Sequence, residues 1–164
     1  MRKKIKYFED DEYMEIVKDI IEHEEFQKRK NFVHHGEVNV CEHCLKVSYH
    51  AYKMAKRLHA DPTVAAIGGL LHDFYSRDWH ICMDQPFFQK HGFVHAREAC
   101  DNAEECFDEL LNKRIKNCIK RHMFPLNPIP PRYLESWIVT MIDKKVSLEI
   151  FKNPSKLPSY LGIK

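Results

Sequence analysis

The sequence has few glycines, no long apolar run and no large excess of charge of either sign. With five glycines among 164 residues, it offers few tight turns and reads as one helix after another. No stretch approaches the roughly 18 consecutive apolar residues of a membrane span, so we expect no membrane association. The net charge of +2 argues against a basic surface that binds nucleic acid.

The start of the chain also lacks the pattern of a secretory signal. Basic residues at Arg2–Lys6 are followed by the acidic run Glu9–Glu12 instead of an apolar segment. We therefore expect a cytoplasmic protein whose cysteines are reduced. Cys41 and Cys44 form a single C-x-x-C pair, for which a redox or zinc site is an alternative to two small buried side chains.

Composition and apolar periodicity predict an all-α fold, a single-domain helical bundle over residues 1–164. Apolar residues make up 44% of the chain, enough for a real core. Asp61 followed by Pro62 is a typical helix start. Residues 31–39 are expected to be a loop and 152–164 an irregular tail, while the connections 76–92 and 124–131 are expected to shape a substrate pocket. Helices are predicted at about 10–27, 40–58, 62–72, 95–110, 112–123 and 132–151.

The dipeptide His72-Asp73 directly follows the apolar run Thr63–Leu71. A carboxylate next to buried apolar surface is costly unless it is paired or bound to a cation. This position is therefore a candidate site in the core of the protein.

Other polar residues have the helical phase of core positions. His43 lies at the edge of an apolar stripe, and His122 and Asp143 share faces with apolar neighbours three and four residues away. A single inward histidine is more often a core residue that has found a hydrogen bond. Helical bundles also build metal sites from such inward ligands. Four imidazoles and two carboxylates suit one or two divalent transition metals, Fe, Mn, Co, Ni or Zn: His43, His72, Asp73, His95, His122 and Asp143.

The order of these residues resembles a known signature. His43, then His72-Asp73, then Asp143 is similar to the H…HD…D pattern of the HD superfamily of metal-dependent phosphohydrolases, over about residues 40–151. The resemblance implies a helical bundle with its metal site in the core. It also implies hydrolysis of a phosphoester or phosphoanhydride in a nucleotide-like small molecule.

The resemblance extends to His95 and His122, which match members with two metals. It implies that Asp73 bridges the two ions, that His95 and His122 hold one, and that the other ion is held by three residues: His43, His72 and Asp143. The expected catalytic residues are His72 and Asp73 of the HD pair, together with Arg77 and Lys144.

The sequence departs from the family after the HD pair, where many relatives carry a lysine and this chain has Phe74 to Asp78. Arg77 is predicted to contact a substrate phosphate, as is Lys144, because both cations pair with phosphate oxygens. A solvated role is the alternative for each. Weaker candidates for the edge of the site are His35, His50, His91, Arg97 and Lys145.

The ligands leave three functions open. The first is hydrolysis of a phosphorylated small molecule, and the second is a di-iron oxygenase that resembles myo-inositol oxygenase, with nearly the same ligand order. The third is a metal-binding regulatory domain without activity. A homodimer that forms through apolar residues of the terminal helices is compatible with the sequence.

Overall fold

The computed structural model describes residues 7–35, 38–76 and 91–149, with the backbone alone for 33–35 and 91–93. The all-α fold class is confirmed, since the described chain is mainly helical and its sheet is one short hairpin. No described helix is long and apolar enough to cross a membrane. The helices are α1 (Asp11–Glu22), α2 (Glu24–Lys28), α3 (Val40–Arg57), α4 (Pro62–Leu71), α5 (His91–Phe107), α6 (Lys113–Arg121) and α7 (Leu134–Leu148). Three-residue 3₁₀ helices lie at Tyr7–Glu9, Arg29–Asn31 and Asp108–Leu110.

Side-chain caps fix where several helices begin. The Asp61 carboxylate accepts hydrogen bonds from the backbone N–H groups of Thr63 and Val64, at 2.9 and 3.2 Å, and Pro62 occupies the first helical position as predicted. Asn39 caps α3 through the N–H of Glu42. Such caps satisfy N–H groups that have no partner within the helix.

Three predicted boundaries are wrong. The first predicted helix is broken at His23, whose extended backbone ends α1 and whose Nδ1 accepts the N–H of Glu25 to start α2. The expected loop at 31–39 contains an antiparallel hairpin, β1 (Val33–His35) and β2 (Val38–Asn39). The fourth predicted helix starts at His91 and ends at Phe107, so His95 lies in its second turn. Residues 77–90 of the predicted connection and the tail lie outside the described residues.

Helix α4 lies at the centre of the core and packs against α1, α3, α6 and α7. Every residue from Val64 to Leu71 is buried. Two glycines allow its neighbours to approach closely. A Cβ atom on Gly68 would lie 2.6 Å from Cβ of Cys118 in α6, and one on Gly69 would lie 2.8 Å from Cα of Ser48 in α3. These contacts set the position of the C-terminal end of α4.

A buried chain of hydrogen bonds joins α1, α3 and α4. The hydroxyl of Tyr13 donates to Oγ of Ser48 at 2.8 Å, and Ser48 donates to the carbonyl oxygen of Ala66 at 2.7 Å. Both side chains are fully buried. The polar groups of this region are therefore satisfied within the core, as burial requires.

Candidate metal centre

The structure brings all six predicted ligands to one buried place. His72 and Asp73 directly follow α4, and His122 directly follows α6. The other three lie within helices α3, α5 and α7. All six are buried: His43, His72, Asp73, His95, His122 and Asp143.

One group of ligand atoms, the first cluster, consists of His43, His72, Asp143 and Oδ2 of Asp73. Nε2 of His43 lies 3.0 Å from Oδ1 of Asp143 and 3.2 Å from Nε2 of His72. Oδ2 of Asp73 lies 3.4 Å from Nε2 of His72 and 3.8 Å from Nε2 of His43. Four ligand atoms thus converge from helices α3 and α7 and from the end of α4.

The second cluster consists of His95, His122 and the other oxygen of Asp73. Nε2 of His95 lies 3.0 Å from Nε2 of His122, and Oδ1 of Asp73 lies 3.2 and 3.4 Å from the two nitrogens respectively. The Asp73 carboxylate therefore contributes one oxygen to each cluster. A carboxylate in this position would be able to hold a cation with each of its oxygens.

Two ligands are oriented by backbone carbonyls of their own helices. Nδ1 of His72 lies 2.8 Å from the carbonyl oxygen of Gly69, and Nδ1 of His122 lies 2.7 Å from that of Ile119. A carbonyl only accepts, so each Nδ1 carries a hydrogen, and Nε2 is the nitrogen of each ring that a metal ion would bind. Such hydrogen bonds fix the tautomer and ring orientation of metal-binding histidines.

In the first cluster, the carboxylates and the imidazoles each favour the charged form of the other. Burial opposes ionisation of Asp143, yet hydrogen bonds from His43 and His72 hold the pKa of its carboxyl well below the usual value. Burial likewise opposes protonation of His72, but Asp73 and Asp143 raise its pKa well above the usual value. In the second cluster burial prevails and lowers the pKa of His122. The first cluster thus attracts a cation, which is a proton when no metal is bound.

The donor set fits divalent metal ions. Imidazole nitrogens that face one another at 3.0 and 3.2 Å need a proton or a cation between them, because their lone pairs repel. Groups of these residues have ligand atoms within 4.8 Å of one another. Imidazole and carboxylate together suit Mn, Fe, Co, Ni or Zn better than Ca or Mg.

The other predicted site residues lie in different surroundings. Lys144 is half-buried, and its Nζ donates to the carbonyl oxygen of His122 at 2.9 Å, while burial lowers the pKa of its ammonium group. His50 is half-buried and, among the described residues, belongs to no metal-binding group. Arg97 and Lys145 are exposed. Arg77 and the side chains of His35 and His91 lie outside the described part of the chain.

The C-x-x-C pair contributes no ligand to the clusters that the described residues form. Cys41 and Cys44 are free thiols buried in α3. Burial raises the pKa of Cys41 to about 11 and that of Cys44 well above its usual value. Both side chains fit the interpretation as small buried residues better than a redox or zinc site.

Sequence reasoning missed Tyr75, which supports the second cluster. Its ring meets the imidazole of His95 edge to face, with ring centres 5.7 Å apart and planes inclined at 77°. The side chain is almost fully buried. Its place two residues after Asp73 is the signal that was available in the sequence.

Comparison with known proteins agrees with this geometry. The family model of the HD domain matches residues 40–146, a span that contains all six ligand positions. The chain belongs to the HD-domain family. Membership of this family supports a metal-dependent hydrolase.

A crystal structure described as a predicted HD superfamily hydrolase, from an uncultured Thermotogales bacterium, is similar to this HD domain at 16% identity. The match covers 87% of this chain and 74% of that one, with a TM-score of 0.45. No curated protein matches the sequence.

Proposed function

We propose that this HD domain is a phosphohydrolase with a binuclear metal centre. Its substrate would be a phosphoester or phosphoanhydride of a nucleotide-like small molecule in the cytoplasm. The observation that carries the proposal is the Asp73 carboxylate, which gives one oxygen to each of two clusters of buried ligands. The homodimer stays a prediction.

Divalent metals held there would supply an activated water and positive charge for a phosphoryl group. The protein's part is to fix the ligands. Asp73 sets the separation of the two clusters, and the carbonyls of Gly69 and Ile119 hold His72 and His122 with their Nε2 atoms inward. Burial of these charges strengthens their effect on a substrate.

Water is a better candidate nucleophile than the thiol next to the site. Cys44 is fully buried in α3, and burial together with the charges of Asp73 and Asp143 raises its pKa well above the usual value. A thiol that stays protonated at neutral pH is a poor nucleophile. This supports hydrolysis without a covalent enzyme intermediate.

Two cationic residues are proposed to bind the negative charge of the substrate. Arg77 is proposed to contact a phosphate group. Lys144 is proposed to add positive charge near the second cluster, since its Nζ is bound to the carbonyl of His122. Both are cationic side chains of the kind that pair with phosphate oxygens.

The test is release of phosphate from simple and nucleotide substrates under anaerobic conditions. Protein loaded with Mn²⁺ or Co²⁺ is incubated with p-nitrophenyl phosphate, nucleoside mono- and triphosphates, and dinucleoside polyphosphates. We expect turnover of at least one phosphorylated compound and its loss in Asp73→Asn.

Asp101→Asn is the matched control, because Asp101 is exposed on α5. Turnover that survives in Asp73→Asn would contradict the proposal. So would a protein that turns over only when loaded with iron and consumes O₂ without releasing phosphate, which would favour the oxygenase.

A further inference from the structure

The three residues that follow Asp73, here called the post-HD segment (Phe74–Ser76), are held by side chains on both sides. Their backbone has left α4 and is not yet part of another helix. Such a segment needs side-chain partners for its polar groups if it is to stay in one conformation.

Arg29, in the 3₁₀ helix after α2, supplies one side of this support. Its Nε donates to the carbonyl oxygen of Tyr75 at 3.2 Å, and a terminal nitrogen donates to Oγ of Ser76 at 3.3 Å. The guanidinium group lies over the ring of Phe74, 3.9 Å from its centre. The other terminal nitrogen bonds to the backbone and the carboxylate of Glu25. One side chain thus contacts all three residues of the segment.

Helix α5 supplies the other side. Nδ2 of Asn102 donates to the carbonyl oxygen of Phe74 and to Oγ of Ser76, both at 2.9 Å. The backbone N–H of Ser76 donates to the carboxylate of Glu98 at 3.2 Å. The post-HD segment is therefore clamped between the N-terminal part of the chain and the helix that carries His95.

This clamp acts unequally on the two metal clusters. The segment adjoins Asp73, which gives one oxygen to each cluster, and it carries Tyr75, whose ring meets the imidazole of His95 in the second cluster. His43 and Asp143 of the first cluster come from α3 and α7. His72 is oriented by its own helix. Loosening the segment should weaken the second cluster more than the first.

We propose that Arg29 is a positioning residue for the second metal cluster. It is 3% exposed although its side chain is cationic, and it lies outside residues 40–146 that match the family model. Burying an arginine in this way is costly unless its donors are used, and here they fix the post-HD segment. The inference rests on the proposed binuclear centre and makes the N-terminal part of the chain a component of it.

The experiment measures metal affinity rather than activity. Wild type, Arg29→Met and His122→Ala are freed of metal and titrated with Co²⁺, and absorption and calorimetry report the number of ions and their affinities. Arg29→Met keeps the aliphatic stem and removes every donor. We expect its weaker ion to lose roughly 10- to 100-fold in affinity, as for other residues that support metal ligands. The ion that Arg29→Met binds more tightly should have the same affinity as the ion that His122→Ala retains.

Tyr13→Phe is the control for general loss of stability, because it removes a buried hydrogen bond from the core. Asn102→Ala loosens the same segment from α5 and should shift affinity in the same direction, which keeps the test decisive if Arg29→Met does not fold. Three results would overturn the role of Arg29. In Arg29→Met, both ions could lose affinity equally or neither could change, and Tyr13→Phe could weaken one ion relative to the other as Arg29→Met does. A wild-type protein that binds a single ion would instead overturn the binuclear centre itself.

Discussion

Replacing Gly69 by alanine tests whether the close approach of α3 and α4 is required. An added Cβ would lie 2.8 Å from Cα and 3.1 Å from the backbone nitrogen of Ser48. These are backbone atoms, so no side-chain rotation relieves the overlap. The two helices must therefore move apart. His43 lies in α3 and His72 directly follows α4, and their Nε2 atoms lie 3.2 Å apart.

The size of the effect follows from two opposing contributions. Overpacking of a core costs about 1–3 kcal/mol, and contact with backbone favours the upper end of that range. Alanine in place of glycine within a helix stabilises the folded protein by about 1 kcal/mol, because alanine has the higher helix propensity. We therefore expect Gly69→Ala to lower the free energy of unfolding by about 2 kcal/mol. For a chain of this length that lowers Tm by roughly 4–8 °C in a thermal melt of the metal-free protein.

Gly68 provides an internal comparison. Its added Cβ would meet Cβ and Sγ of Cys118 at 2.6 and 2.9 Å, atoms of a single side chain. Gly68→Ala should therefore be destabilising alone and recover part of that loss when combined with Cys118→Gly. A Gly69→Ala protein with a Tm equal to or above that of the wild type would refute the reasoning about helix approach.

Two further predictions concern a helix end and the pH dependence of metal binding. His59 is exposed and has a positive φ of 55°, a backbone conformation that glycine adopts without strain. His59→Gly should therefore raise the free energy of unfolding by about 0.5–1 kcal/mol, and Tm by a few degrees in a thermal melt. A lower Tm would contradict this. Burial lowers the pKa of His72, but Asp73 and Asp143 raise it by more, so that it lies well above its usual value. At a pH below that pKa, a metal must displace a proton from His72 in order to bind. Affinity for Co²⁺ should therefore rise with pH, about tenfold per unit for each proton released, and level off above the raised pKa. Titrations with Co²⁺ at several pH values measure this dependence. An affinity that falls as the pH rises would contradict the prediction.

Most of the helices could be predicted from the sequence, and helical phase together with the resemblance to the HD superfamily predicted that the six candidate ligands lie close together. Helical phase placed His122 and Asp143 on inward faces because apolar neighbours recur three and four residues away, and both are buried. Asp61 and Pro62 marked the start of α4 because their local chemistry favours a helix start. Local signals of this kind do not depend on distant parts of the chain.

Features that depend on distant contacts were not predictable. The break at His23 escapes periodicity because Phe26, in the next helix, is still buried. The hairpin strands, of three and two residues, are too short to show an alternating pattern. A lone arginine such as Arg29 is normally exposed, and its burial becomes evident only when Tyr75 and Ser76 are seen beside it.

The number of metal ions per chain tests the proposed binuclear centre directly. Elemental analysis is made on wild type and His122→Ala, purified without chelator or a metal-affinity tag and supplied with the same transition metal. Two equivalents are expected in the wild type and one in His122→Ala, because Nε2 of His122 contacts His95 and Asp73 in the second cluster while the four ligand atoms of the first cluster remain. One equivalent in the wild type, or the same number in both proteins, would contradict it.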